Sequence, residues 1–183
     1  RRAEELRYLM RWRPGAPDTL AAATFGGTAE LWDLRCLSSG SVLPMALADA
    51  IDAPACRGAT LCWGATHSGA PLLAASCGEV VRLFDARVPR RPLARAVGPT
   101  AAPVVCVDCA GDRLLSAAAD GALSLWQLGA QLGAGGADEP TVSSVGGGAD
   151  GLRRVATWSC DGAPGCARLL PSGAEAVKWS HPV

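Results

Sequence analysis

The chain has 183 residues with 17 basic and 17 acidic side chains, a formal net charge of zero. That balance excludes the basic surplus a general nucleic-acid binder uses to displace counterions, and it excludes a polybasic membrane anchor. Hydrophobic content of 49% against 19% charged residues supplies a core and excludes global disorder, and no run reaches the ~18 apolar residues of a membrane-spanning helix.

The chain opens on Arg1-Arg-Ala-Glu-Glu-Leu, which lacks an apolar signal-peptide core, and it reads as a piece of a longer sequence. Helical periodicity is nearly absent. Short apolar runs alternate with Gly, Pro, Asp and Ser clusters, the pattern of an all-β chain. A first strand is expected over Leu6–Trp12, followed by a hairpin from Thr19 to Arg35 that turns at Gly26-Gly27 and ends in Leu31-Trp32-Asp33-Leu34-Arg35. Val42–Leu47 is the next strand, and a loop insertion falls at about 46–58. The order then recurs: Thr60–Ala65, a hairpin from Pro71 to Arg87 turning at Cys77-Gly78 and ending in Leu83-Phe84-Asp85-Ala86-Arg87, then Pro92–Val97. It recurs again as Val104–Cys109, a hairpin from Arg113 to Leu128 turning at Asp120-Gly121 and ending at Trp126, then Thr141–Val145. Residues 129–150 form a Gly-rich flexible loop around that last short strand. Leu152–Ser159, Cys166–Leu170 and Ala176–Ser180 are expected to be the first three strands of a fourth, irregular unit. The predicted units are therefore 6–47, 59–97, 103–145 and 152–183, within one domain over 1–183.

Trp32, Phe84 and Trp126 mark equivalent positions, spaced by 52 and then 42 residues. The second step matches the ~40–45 residues of one propeller blade, and the first fits a blade plus an insertion. Alternation along Leu123-Ser-Leu-Trp126 places leucines on one strand face and Ser124 and Trp126 on the other. Both faces being apolar suits sheets stacked between neighbours.

Through Leu31-Trp32-Asp33, Leu83-Phe84-Asp85 and the Asp120-Gly121 turn before Trp126, the chain resembles the WD40-repeat family over roughly residues 6–145. The resemblance implies an all-β, WD40-type β-propeller with about four degenerate blades visible. It also implies a structural role for Trp32, Asp33, Phe84, Asp85, Asp120 and Trp126. Gly26 and Gly78 stand where Asp120 stands in the third unit, Gln127 replaces the Asp of Trp-Asp, and the family's Gly-His dipeptide is absent.

Catalytic chemistry is sparse. The two histidines, His67 and His181, have no second ligand at helical spacing, and His67 sits in a predicted Thr-His-Ser-Gly turn. Carboxylates are scattered at turns, where Asp bonds its own backbone. The eight cysteines fall in apolar alternating runs and are expected as reduced thiols. Cys106-Val-Asp-Cys109 has CxxC spacing but lacks a second pair and lies within a strand-like run. No enzyme activity, cofactor or metal is expected. Arg82, Arg87, Arg90, Arg91 and Arg95 form a local basic cluster, and Arg35, Arg87, Arg90 and Arg91 are the candidate partner contacts.

Propellers of this kind imply a scaffold that binds other proteins of a multisubunit complex, with no direct nucleic-acid contact, membrane insertion or small-molecule substrate. Arg11-Trp12-Arg13-Pro14, Arg82-Leu-Phe-Asp-Ala-Arg87, Pro103-Val-Val-Cys-Val-Asp108 and Asp120-Gly-Ala-Leu-Ser-Leu-Trp126 resemble the forty-three-kilodalton WD-repeat nucleoporin family of the Y-shaped outer-ring complex. That resemblance implies a structural role in the nuclear pore and a location at the nuclear envelope, with the cytoplasm otherwise expected. Trp32-Asp-Leu-Arg35 and Phe84-Asp-Ala-Arg87 are also compatible with the Trp-Asp-x-Arg tetrapeptide of ubiquitin-ligase substrate receptors, which leaves an adaptor role open.

Overall fold

A computed structural model describes residues 7–24, 28–35, 42–46, 60–90, 92–130, 132, 142–143, 151–159, 166–169 and 177–180. Among them there is no α-helix, and so none long and apolar enough to cross a membrane. The first sheet is antiparallel, in the order β1 (Arg7–Arg13), β2 (Ala16–Thr24), β3 (Thr28–Asp33), β4 (Val42–Ala46). The second repeats it with β5 (Leu61–Ala65), β6 (Pro71–Cys77), β7 (Val80–Asp85) and β8 (Ala94–Val97). The third begins with β9 (Val104–Ala110), β10 (Arg113–Ala118) and β11 (Ala122–Leu128). In the second and third sheets, tight turns join the second and third strands. Gly78 (φ 61°) and Gly121 (φ 90°) each hold their turn in a conformation that a Cβ disfavours.

Register explains why both faces of these strands are apolar. Trp32 stands opposite Leu20, Phe84 opposite Leu73, and Trp126 opposite Leu114, so each aromatic faces a leucine across its own hairpin. Phe84, Leu73 and Ala75 face the first sheet and pack with Ala21, Ala23, Ala29 and Leu31. Trp126 and Leu114 face the second sheet and pack with Leu72, Ala74, Val81 and Leu83. Alternate residues of one strand thus serve two different interfaces. Alanines on the receiving face leave room for the aromatic on the facing sheet, which is why Ala-rich strands recur in the sequence. Trp32 faces away from the second sheet, and no further sheet is stacked there among the described residues. It is correspondingly only half-buried.

The second and third sheets approach closely at Gly64. A Cβ at this position would lie 2.9 Å from the Cβ of Cys109 on the neighbouring sheet. Gly64→Ala is therefore expected to cost about 1–3 kcal/mol through overpacking between strands that cannot separate freely. Chemical denaturation of the variant beside the parent checks this.

The end of the chain differs from the sequence expectation. Leu152–Ser159 (β13) does not open a fourth unit. It is the outer strand of the third sheet, paired antiparallel with β11 from Ala122 opposite Ser159 to Leu128 opposite Leu152. The strand expected at Thr141–Val145 shortens to β12 (Val142–Ser143), which lies parallel to β8 at the edge of the second sheet. A close backbone contact explains the exchange. The Gly129 amide donates to the Gly151 carbonyl at 2.5 Å, and a Cβ on Gly129 would meet the Gly151 Cα at 2.9 Å. Two glycines thus clamp both ends of the 129–151 excursion and deliver Leu152 beside Leu128, where the free edge of β11 needs a partner. Most of the predicted flexible loop lies outside the described residues, but Leu132 is buried in the core between the second and third sheets. Cys166–Leu169 (β14) and Val177–Ser180 (β15) pair as a separate antiparallel hairpin. Leu169 packs on the outer face of the third sheet with Leu115, Ala117 and Leu123, and its amide donates to Asp108 Oδ2 at 2.6 Å.

Candidate interaction surface

Strand polarity brings the predicted motif residues to one end of the stack. Thr19 in β2 pairs with Asp33, Leu72 in β6 with Asp85, and Arg113 in β10 with Gln127. The exits of β3, β7 and β11 therefore share that end with the β1–β2, β5–β6 and β9–β10 turns.

Two of the three exits are closed by the same fork. Arg87 donates its Nη2 to Asp85 Oδ2 at 2.6 Å and its Nε to Oδ1 at 3.0 Å, while its backbone amide donates to Oδ1 at 2.9 Å. Arg35 repeats this on Asp33, with Nη2 to Oδ2 at 2.6 Å, Nε to Oδ1 at 2.9 Å and its amide to Oδ1 at 3.1 Å. The side-chain bonds from Arg35, with its amide, hold the Asp33 carboxyl down at about 2. The Arg87 side chain likewise lowers Asp85, against a burial effect that raises it. Both guanidiniums are exposed but bent back onto their own turns, so part of their donor capacity is spent locally. In the third repeat Gln127 takes the place of Asp and its Nε2 donates to Asp112 Oδ2, tying β11 to the β9–β10 turn instead.

A pH dependence follows. Asp85 has a folded pKa below its ordinary 3.8, so its contribution to stability is complete above that value and is lost as pH falls through the lowered one. Arg87→Met removes the cause, and burial then favours the neutral acid. The acid-unfolding midpoint of this variant is expected at higher pH than in the parent, read by tryptophan fluorescence during titration.

Trp126 is buried, its Nε1 donates to Ser116 Oγ at 3.0 Å, and the Arg154 guanidinium carbon lies 5.8 Å from its ring centroid. Phe84 is 1% exposed. Asp120 lies at the opposite end of the sheet from Trp126's exit. The Thr100 side chain and the Ala122 amide hold its carboxyl below the usual range, and the amide bond is 3.1 Å. Among the predicted contacts, Arg90 is exposed in the turn after β7, whereas Arg91 lies outside the described residues. The basic cluster is not wholly a surface feature: Arg82 is 4% exposed, on the same strand face as Phe84. It points into the sheet interface because strand alternation fixes its side.

The structure adds a depression of about 250 Å³ at this end, lined by Arg13, Pro14, Trp63, Gly64, Ala65, Gly69 and Pro71. It forms where the β1–β2 turn meets the β5–β6 turn of the next sheet. Trp63 Nε1 donates to the Arg11 carbonyl at 3.0 Å, fixing the ring against the first sheet. His67 is exposed in the adjoining turn, as the sequence suggests for an ordinary turn residue. Only Arg13-Pro14 was visible as part of a motif. Nothing in the sequence brings Trp63 and Pro71 to them, because the depression is made between two sheets.

The cysteines need one correction. Cys77, at the end of β6, is disulfide-bonded rather than a reduced thiol. A spacing in sequence does not show which strand ends meet. Among the described residues, no group of three or more His, Cys, Asp or Glu side chains could hold a metal ion.

No protein-family model matches the chain, and no curated protein matches it by sequence. Solved structures match its fold, among them a chain in the crystal structure of a mitotic checkpoint complex, with a TM-score of 0.62 at 15% identity. The fold is a partial β-propeller. The match covers 93% of this chain and 46% of the other, so the protein spans about half the length of that chain. The sheets described above are accordingly its blades: the first and third of four strands, the second of four with the short β12 added at its edge, followed by the β14–β15 hairpin.

Proposed function

We propose that this propeller is a non-enzymatic scaffold that binds other proteins of a multisubunit complex through the blade end carrying Arg13, Arg35, Arg87 and Arg90. The observation that carries this reading is the depression between the first two blades. A tryptophan held by a backbone hydrogen bond, an arginine and two prolines line it on a rigid end of the stack. Tryptophan and arginine are the side chains that dominate protein–protein hot spots, and their fixed positions lower the ordering cost of binding. The solved neighbour comes from a multiprotein assembly, which supports partners of the same kind. Nucleic acid, membranes, cofactors and small-molecule substrates have no part in this reading.

The specific complex we favour is the outer ring of the nuclear pore, on the motif resemblance, with the protein at the nuclear envelope. The Asp33–Arg35 and Asp85–Arg87 forks favour a second reading, as a substrate receptor or adaptor of a ubiquitin ligase, in which the tetrapeptides are displayed on one surface. Affinity purification of the tagged protein from its own cells separates them. Nucleoporins in the eluate and a punctate nuclear rim support the pore; cullin and ligase-adaptor subunits support degradation. Arg13→Glu combined with Arg90→Glu is expected to reduce recovery of either set at least tenfold while changing the melting temperature little, since Arg90 is an exposed turn charge and Arg13 ends an edge strand. Undiminished recovery would remove the assignment of this end.

A further inference from the structure

We propose that Cys62 and Cys109 form an oxidation site, closing under a hydroperoxide into a disulfide that locks the second blade to the third. Cys62 lies on β5 and Cys109 on β9, 47 residues apart in sequence, and their sulfurs are 3.2 Å apart. A disulfide needs about 2.05 Å, so the two strands close by roughly 1 Å. Both side chains belong to the same core between these blades. Gly64 makes the encounter possible, since its missing Cβ is the space that Cys109 fills.

Strand geometry excludes the pairing that sequence spacing invites. Cys106 stands opposite Ala117 and Cys109 opposite Leu114, so the two sulfurs of Cys106-Val-Asp-Cys109 lie on opposite faces of β9. Cys106 packs against the outer cluster with Leu115 and Leu123, not against Cys62.

The two thiols differ in access, which orders the chemistry. Cys62 is buried and Cys109 partly exposed. The Cys109 thiolate, its proton given up to solvent, attacks the hydroperoxide; the O–O bond breaks, leaving a sulfenic acid at Cys109 and releasing water, or an alcohol from an organic hydroperoxide. Cys62 is kept protonated by its contact with Cys109 and by burial. Cys62 then passes its proton to the Cys109 hydroxyl oxygen as its sulfur, now a thiolate, attacks the Cys109 sulfur; the S–O bond breaks and water leaves. Two thiols lose two hydrogens and two electrons in all, and one hydroperoxide is reduced. External dithiols reverse the step by exchange.

The test treats the folded 183-residue chain with hydrogen peroxide, followed by non-reducing digestion and mass spectrometry. A linked peptide pair containing Cys62 and Cys109 is expected, sensitive to dithiothreitol and absent before treatment. The melting temperature should rise by roughly 5–10 °C, since the link closes a long loop. Cys106→Ser should keep the link. Cys62→Ser should lose both the link and the rise, and should instead accumulate a sulfenic acid at Cys109 that dimedone captures. Met10, 56% exposed, reports that oxidant has acted. Oxidised Met10 with Cys62 and Cys109 still as thiols would overturn the proposal, as would Cys109 linked to Cys106.

Discussion

Trp126→Ala is expected to destabilise the protein by about 3–5 kcal/mol, the cost of removing a large buried aromatic whose surroundings cannot collapse. The ring lies in the core between the second and third blades, and its indole N–H is spent on Ser116, which loses its partner in the variant. Phe84→Ala should cost a similar amount, since Phe84 holds the equivalent place between the first and second blades. Trp32→Ala, at the same register position, should cost far less, roughly 1–2 kcal/mol, because its face has no stacked sheet and the ring is only half-buried. Asp120→Ala should cost less than Trp126→Ala, since its carboxylate is exposed and its loss opens no cavity, only its bonds to the Ala122 amide and the Thr100 side chain. Urea denaturation of the four variants under one set of conditions gives the order. Equal losses at Trp32 and Trp126 would mean that the first blade is covered as fully as the third.

The second large effect is association. Met10 and Trp12 are 56% and 57% exposed, and they lie on the same face of the first blade as Leu20 and Trp32, since they pair with Ala22 and Leu20 across β1 and β2. The equivalent residue in the second blade, Trp63, is packed against the first blade and hydrogen-bonded to it. The comparison shows what such a face holds when a neighbour is present. At the other end, β15 carries no further strand among the described residues. Exposed apolar faces and unpaired edges both drive self-association. The 183-residue chain alone is therefore expected to sediment as a concentration-dependent oligomer, and Met10→Ser with Trp12→Ser to shift it toward monomer. A monodisperse monomer at every concentration would contradict this.

Much of the fold was legible because blade stacking imposes a simple rule on sequence. Each hairpin carries a small-residue strand, a Gly-containing turn and an alternating strand ending in an aromatic, and these features depend on neighbours close in sequence. The runs at β5, β9 and β10 could be read directly for that reason. What could not be read was the choice of partner edge. The Leu152–Ser159 run has the same pattern whether it starts a new blade or completes an old one, and the Gly129–Gly151 contact that decides the matter joins residues far apart in sequence. The candidate surface was legible by halves. The Asp-x-Arg repeats were visible, but their forks turn the guanidiniums inward on their own carboxylates, and the Arg13–Trp63 depression exists only between blades. The Cys62–Cys109 pair was invisible for the same reason, with one cysteine on each of two stacked sheets.

The stacking order is tested most directly by nuclear Overhauser contacts from the third-strand aromatics in protein with labelled methyl groups. Phe84 ring protons should show contacts to alanine methyls of the first blade, among Ala21, Ala23 and Ala29, and Trp126 to methyls of the second, among Leu72, Ala74 and Leu83. Contacts from Phe84 to Val107 or Leu114 of the third blade, or none between blades, would contradict the propeller arrangement and the interaction surface built on it.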